Sequence, residues 1–257
     1  MKTGATAAIH RPAPRPEAGR VLVCLSYCGG GTAPYRKWAT QLPPDVELAL
    51  VCYPGREARF TTPFARDWRA LCEDVVAAVA PLAERPYVLF GHSMGSWVAF
   101  ETAAWLERLG VTPPAALVVS GGAAPNLREP AGSRTPHARD SDVELVRWMR
   151  EFGQMSPVVA HDPDLRGLAV ELLRADLVVT ESYRYTPGRR VTVPLQVLYG
   201  TAEPEPFAEI EQGWKALADN DFEATELPGG HFYEPEVWDR LPRRISALPA
   251  PATAFRD

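Results

Sequence analysis

Several things are missing from this chain, and each absence removes a class of function. None of its four cysteines, Cys24, Cys28, Cys52 and Cys72, forms a CxxC pair. Three of them sit in or beside apolar strand-like segments, so free buried thiols in a reducing compartment are expected, with no metal site. No apolar run approaches the ~20 residues that a membrane span needs. The first residues also lack the apolar core of a signal peptide, and a cytoplasmic protein with no membrane partner is expected. No basic run stands out, and the formal net charge of −5 argues against nucleic acid as a partner. No internal repeat is visible. What the chain does have is bulk: 257 residues, 46% of them hydrophobic, are enough to bury a large core.

Within that bulk, short apolar runs alternate with amphipathic stretches. Candidate strands are Arg20–Leu25, Val46–Tyr53, Tyr87–Phe90, Ala115–Ser120, Leu195–Tyr199 and Phe222–Leu227. Candidate helices are Tyr35–Leu42, Asp67–Ala83, Met94–Leu109, Phe207–Ala218 and Pro235–Ala247. Continuous apolar strands separated by helices predict an α/β fold, a mainly parallel sheet covered on both faces. The rhythm breaks between Ser120 and Thr192, where two helical stretches, Asp142–Gly153 and Pro163–Tyr183, replace any strand. An ordinary crossover needs only about a dozen residues, so a helical lid insertion over about 124–190 is expected. Tyr183, Tyr185, Arg174 and Glu181 then read as lid surface and packing residues. Residues 1–19 and 247–257 read as loose tails around a single domain, 20–246. Monomer is the default expectation.

Gly91-His92-Ser93-Met94-Gly95 lies between the strand Tyr87–Phe90 and the helix that begins near Met94. A Gly-x-Ser-x-Gly turn between strand and helix is the nucleophile elbow of α/β-hydrolases. Its flanking glycines let the helix fold back on the strand and leave Ser93 on a strained backbone, hydroxyl outward. His92 adjoins Ser93 but points away from its hydroxyl, and is read as a packing residue.

A serine hydroxyl needs a general base, and the base needs an orienting acid. His137 and His161 fall inside the proposed lid, before any plausible acid. His231, in Pro228-Gly229-Gly230-His231-Phe232, follows the last candidate strand and is assigned as base. The loop after the preceding strand, Thr201-Ala202-Glu203-Pro204-Glu205, offers two acids. Glu203 is nearer the strand end and precedes a proline that favours extended backbone; it is taken as the acid, with Glu205 as the second candidate. Oxyanion donors are expected from the backbone N–H of Met94 and from the glycine-rich loop Ser26-Tyr27-Cys28-Gly29-Gly30-Gly31, at Cys28. Gly29 and Gly30 allow close approach of that backbone to a substrate. The loop matches neither GxxxxGK(S/T) nor GxGxxG, so a phosphate cradle is a weak alternative and no cofactor is expected.

Taken together, these segments resemble the type II thioesterases that accompany nonribosomal peptide synthetases and modular polyketide synthases. The matching pieces are Cys28-Gly29-Gly30, Tyr53-Pro54-Gly55-Arg56-Glu57-Ala58-Arg59, the elbow, Arg174-Ala175-Asp176, Glu181-Ser182-Tyr183-Arg184-Tyr185, and Pro228-Gly229-Gly230-His231-Phe232-Tyr233. Two positions depart from the usual pattern. The family usually carries aspartate where this chain has Glu203, and Pro-x-Ala-Gly-Gly where it has Ser26-Tyr27-Cys28-Gly29-Gly30. The resemblance implies an α/β-hydrolase fold and hydrolysis of acyl groups from the 4′-phosphopantetheine thiol of acyl or peptidyl carrier domains. Carrier domains are generally acidic, so Arg56, Arg59, Arg147 and Arg150 are candidates for a positive docking surface. The alternatives are a small-ester or lipid hydrolase with the same triad, and a non-catalytic carrier-binding protein.

Overall fold

The structure, a computed structural model, describes residues 8–127 and 136–248. Seven strands form one sheet: β1 (Ile9–His10), β2 (Arg20–Leu25), β3 (Val46–Val51), β4 (Tyr87–His92), β5 (Ala116–Ser120), β6 (Leu195–Gly200) and β7 (Phe222–Leu227). Their order is β1-β3-β2-β4-β5-β6-β7. Every neighbouring pair is parallel except β1 with β3, which is antiparallel. β2 to β6 are buried along almost their whole length because helices cover both faces, as their continuous apolar sequences require.

Residue parity sorts the core into two layers. Val21, Val23, Leu25, Leu89, Leu117 and Val197 face α1 (Trp68–Val79), α2 (Met94–Arg108) and the inserted helices. Leu22, Cys24, Val88, Phe90 and Val118 face Tyr35, Trp38 and Leu241 on the other side. All four cysteines are free and buried. Among the described residues no helix is long and apolar enough to cross a membrane, and no cluster of His, Cys, Asp and Glu could hold a metal ion.

The insertion between β5 and β6 is helical: α3 (Asp142–Glu151), α4 (Pro157–His161) and α5 (Pro163–Ser182). Each starts on a strong cap. Ser141 and Glu144 form a reciprocal capping box on α3, and Ser156 caps α4. Asp162 accepts from two backbone N–H groups at the start of α5, where Pro163 takes the position needing no N–H. α4 did not stand out as a separate element in the sequence. The remaining helices are α6 (Phe207–Lys215) and α7 (Pro235–Asp239).

Three expectations are corrected. Residues 8–19 are not a loose tail: β1 pairs with β3, and the Arg15 guanidinium donates to the carbonyls of Ala39, Pro43 and Val46. At the other end Leu248 is buried, while residues 1–7 and 249–257 lie outside the described residues. The stretch around Tyr35–Leu42 is 3₁₀ rather than α-helix, over Ala33–Thr40. The last helix stops at Asp239 and resumes as a 3₁₀ turn over Leu241–Arg244. Pro242 has no N–H to continue the ladder.

The strand-to-helix turn at the end of β4 rests on glycine for steric reasons. A Cβ on Gly91 would lie 2.0 Å from the Gly95 carbonyl oxygen, and one on Gly95 would lie 2.4 Å from the Leu25 carbonyl oxygen. Gly19, by contrast, has nothing within 4 Å of its virtual Cβ. Gly91→Ala is therefore expected to cost about 3 kcal/mol, a fall in Tm of roughly 6–12 °C. Gly19→Ala should leave Tm unchanged; thermal unfolding followed by circular dichroism checks both.

Candidate active site

At the C-terminal edge of the sheet, Ser93 sits at φ 56°, ψ −121°, the sparsely populated backbone expected of an elbow. Its N–H donates to the Ser120 carbonyl at 2.8 Å. The Ser96 hydroxyl, one turn on, reaches the carbonyls of Gly91 and Ser120 at 3.0 Å each. These bonds brace the turn from below, and Ser93 itself stays half-buried.

His231 rides on a tightly folded loop. Tyr233 N–H donates to the Gly230 carbonyl at 2.8 Å and Glu234 N–H to the Pro228 carbonyl at 3.0 Å. Gly229 takes φ 108° and Tyr233 φ 57° to close it. The loop is also zipped to the one that follows β6, since Ala202 N–H donates to the Gly229 carbonyl at 2.9 Å. This brings Glu203 Oε1 to 2.9 Å from His231 Nδ1, with the two side chains 5% and 16% exposed. Glu205 is occupied elsewhere, accepting from the Tyr199 hydroxyl at 2.8 Å. Because a carboxylate can only accept, Nδ1 is the donor in this contact and Nε2 is the ring nitrogen left outside it.

The backbones of Ser93 and His231 flank the same loop after β5. A Cβ on Gly122 would lie 3.3 Å from the Ser93 carbonyl oxygen, and one on Gly121 3.2 Å from the His231 carbonyl oxygen. Among the described residues no hydrogen bond joins Ser93 Oγ to His231. The carboxylate–imidazole contact is formed and the hydroxyl–imidazole contact is not, as is common in substrate-free sites.

His92 is fully buried, its ring 5.0 Å from that of His231 and 5.1 Å from those of Phe232 and Trp238. Its Nδ1 lies 3.0 Å from the Ser120 hydroxyl, which lies 2.7 Å from the Tyr233 hydroxyl. Burial, reinforced by His231, drives its pKa well below the ordinary histidine value, so the ring stays neutral. It is a structural pillar under His231, as the sequence reading held.

Met94 is the first residue of α2, and its N–H has no carbonyl one turn back to bind. The contact of Gly95 with the carbonyls of Leu25 and Ser26 sets that helix end beside the glycine-rich loop. Cys28 is buried within this loop, and burial raises its thiol pKa well above the usual value, which leaves it protonated and poorly nucleophilic.

Some functional neighbours were not legible in the sequence. Phe152, just past α3, stands edge-on to His231 at 5.9 Å and stacks on Trp148 at 4.7 Å. Of the residues read as lid surface and packing, Tyr183 is a packing one: its ring lies against Trp68 and Trp97, and its hydroxyl donates to Glu101 Oε1 at 2.9 Å. Arg189 pairs with the same buried Glu101. Arg56 and Arg59 are not surface charges. They are 3% and 9% exposed and are consumed by Asp176 and Asp74. Arg147 and Arg150 are exposed, and with Arg166 they border a groove between α3 and α5.

Comparison with known proteins agrees with this layout. The thioesterase domain family matches residues 20–250. Thioesterase PikA5 of Streptomyces venezuelae is 35% identical over 240 residues, 93% of this chain and 84% of that protein. AMB antimetabolite synthetase AmbE of Pseudomonas aeruginosa is 36% identical over 212 residues, but the match spans 82% of this chain and only 10% of AmbE. Among solved structures, the type II thioesterase BorB from the borrelidin biosynthetic cluster superimposes with a TM-score of 0.79 at 31% identity, covering 93% of this chain and 96% of BorB. The overall fold thus recurs in BorB, and the chain is a member of the thioesterase family.

Proposed function

We propose that Ser93, His231 and Glu203 act as a catalytic triad that hydrolyses acyl groups from the 4′-phosphopantetheine thiol of carrier domains. The observation that carries this reading is the 2.9 Å contact of His231 Nδ1 with Glu203, made beside a serine held on an elbow. The acid fixes the imidazole so that Nε2 is the nitrogen left to receive the serine proton. The extra methylene of glutamate is taken up by the zipped loops, which let its carboxylate reach the ring directly.

Ser93 Oγ attacks the thioester carbonyl while His231 Nε2 takes its proton. The N–H groups of Met94 and Cys28 hold the resulting oxyanion. Collapse breaks the C–S bond, and the imidazolium returns the proton to the pantetheine sulfur. Water then attacks the acyl-serine, deprotonated by His231, and the free acid leaves as Ser93 regains its proton. No metal or cofactor takes part.

The carrier is taken to dock on the insertion. A groove of about 700 Å³ is bordered by Arg147, Arg150 and Arg166, which outnumber its carboxylates Asp142 and Glu151, together with Val143 and Val146; this suits an acidic, partly apolar partner. Phe152, next in sequence to Glu151 of this groove, stands edge-on to His231, so the acyl arm is taken to pass along the aromatic end of α3.

Ser93→Ala should abolish turnover of an acyl-carrier thioester followed by intact-protein mass spectrometry. Glu203→Ala should lower kcat by up to roughly 10⁴, about 5 kcal/mol of barrier, whereas Glu205→Ala should lose less than about tenfold; the reverse order would reassign the acid. The double variant Arg147→Glu/Arg150→Glu should raise KM for the acyl carrier roughly tenfold at low salt. The same variant should leave KM for the acyl N-acetylcysteamine thioester unchanged. Faster turnover of simple carboxylic esters than of the carrier thioester would favour an ester hydrolase instead.

A further inference from the structure

Arg56 and Asp176 form a two-pronged ion pair in the interior. Nη1 lies 2.9 Å from Oδ2 and Nη2 2.6 Å from Oδ1, with the side chains 3% and 5% exposed. A buried pair of this kind returns little net stability compared with apolar side chains of the same volume. Its remaining bonds are more informative. Asp176 Oδ2 also accepts from the Gly29 N–H at 2.7 Å, and Arg56 Nη1 also donates to the Gly30 carbonyl at 2.5 Å. A third bond, from Gly30 N–H to the Tyr27 carbonyl at 2.9 Å, closes the turn.

Each bond fixes one peptide plane of the glycine-rich loop. The Tyr27 carbonyl and the Cys28 N–H share a plane, so holding the first aims the second. The next plane is held at Gly29 N–H, and the Gly30–Gly31 plane at its carbonyl. The Gly30–Tyr27 bond is internal to the loop and depends on the Gly29 and Gly30 planes staying put; glycine peptides flip at little cost, so those two planes are held from outside, by Asp176 and Arg56. Asp176 comes from α5, and Leu173 of the same helix presses on the loop: a Cβ on Gly29 would lie 3.2 Å from Leu173 Cβ. α5 itself is anchored, since Ser182 Oγ accepts from the Trp68 N–H at 2.8 Å and Tyr183 donates to Glu101.

We propose that Asp176, neutralised by Arg56, is a positioning residue for the reaction: it clamps the glycine-rich loop so that the Cys28 N–H faces the developing oxyanion. Seating of α5 and readiness of the oxyanion loop are then a single event. This rests on the reading that Cys28 N–H is an oxyanion donor. The clamp acts on the transition state and leaves ground-state binding alone.

The test uses the full chain with an acyl N-acetylcysteamine thioester, after active sites are counted by fluorophosphonate labelling. Asp176→Asn places an amide where a carboxylate held three N–H donors, and kcat per active site should fall roughly 10²-fold. KM should stay within about threefold. Affinity for a trifluoromethyl ketone analogue, which adds to Ser93 and creates an oxyanion, should fall by a similar factor, while affinity for the unreactive amide analogue holds. A merely structural role would lower Tm and the number of labelled sites but leave kcat per site and the ratio of the two affinities intact. The apolar pair Arg56→Met/Asp176→Leu guards against misfolding: it should fold, since such replacements are tolerated elsewhere, and show the same loss of kcat. Either variant, folded and with kcat per site within about threefold of wild type, overturns the clamp. Wild-type protein inert toward every thioester would instead overturn the assigned site, and the clamp with it.

Discussion

Backbone laid directly on backbone at the elbow is the contact from which the active edge follows. With no Cβ on Gly91 or Gly95, the first turn of α2 settles against the ends of β4 and β2 at distances that no side chain would allow. Three consequences come from that one approach. Ser93 is pushed into a strained conformation with its side chain outward, the Met94 N–H is left as an orphan donor, and the loop after β2 is brought beside it. The strain is of order 1–3 kcal/mol, and it persists because both faces of the sheet are packed with fully buried side chains such as Leu22, Phe90, Val98 and Leu117.

Around this edge, charge is used as internal fastening. Arg56 with Asp176 and Arg189 with Glu101 join segments far apart in the chain, and Arg59 with Asp74 joins neighbouring ones. The first joins the loop after β3 to α5, the second braces that loop against α1, and the third ties the stretch after α5 to α2. An arginine in a one-dimensional sequence reads as solvated surface, because that is where most arginines are. Nothing local distinguishes Arg56 from Arg147. The difference arises only when a distant aspartate is folded into place, and for this reason two of the four arginines assigned to a docking surface proved to be internal.

The parts that were legible share a short-range cause. Strand runs, the glycine-flanked serine and the placement of a histidine after the last strand are local patterns. A parallel sheet then brings the loops at one edge together with little freedom. Glu203 was favoured over Glu205 by its nearness to the end of β6, and the His231 contact falls on it, while Tyr199 holds Glu205. The illegible parts depend on the irregular stretches. Pairing of β1 at the sheet edge, the approach of Phe152 to His231 and the burial of Tyr183 between Trp68 and Trp97 are set by tertiary packing that no periodicity announces. Proline explains the misjudged last helix: Pro242 stops a run whose apolar spacing otherwise continues.

The strand order has a consequence for how the protein is made. The elbow is complete once β5 has paired with β4, but the glycine-rich loop waits for Asp176 of α5, and His231 and Glu203 arrive only with β6 and β7, after the whole helical insertion has been passed. During synthesis from the N-terminus, a growing chain that has formed β2 to β5 would carry a serine already presented for attack yet lacking the group that deprotonates it. Under the proposed triad, hydrolytic competence is thereby withheld until the final strand docks, so an unfinished polypeptide is a silent one.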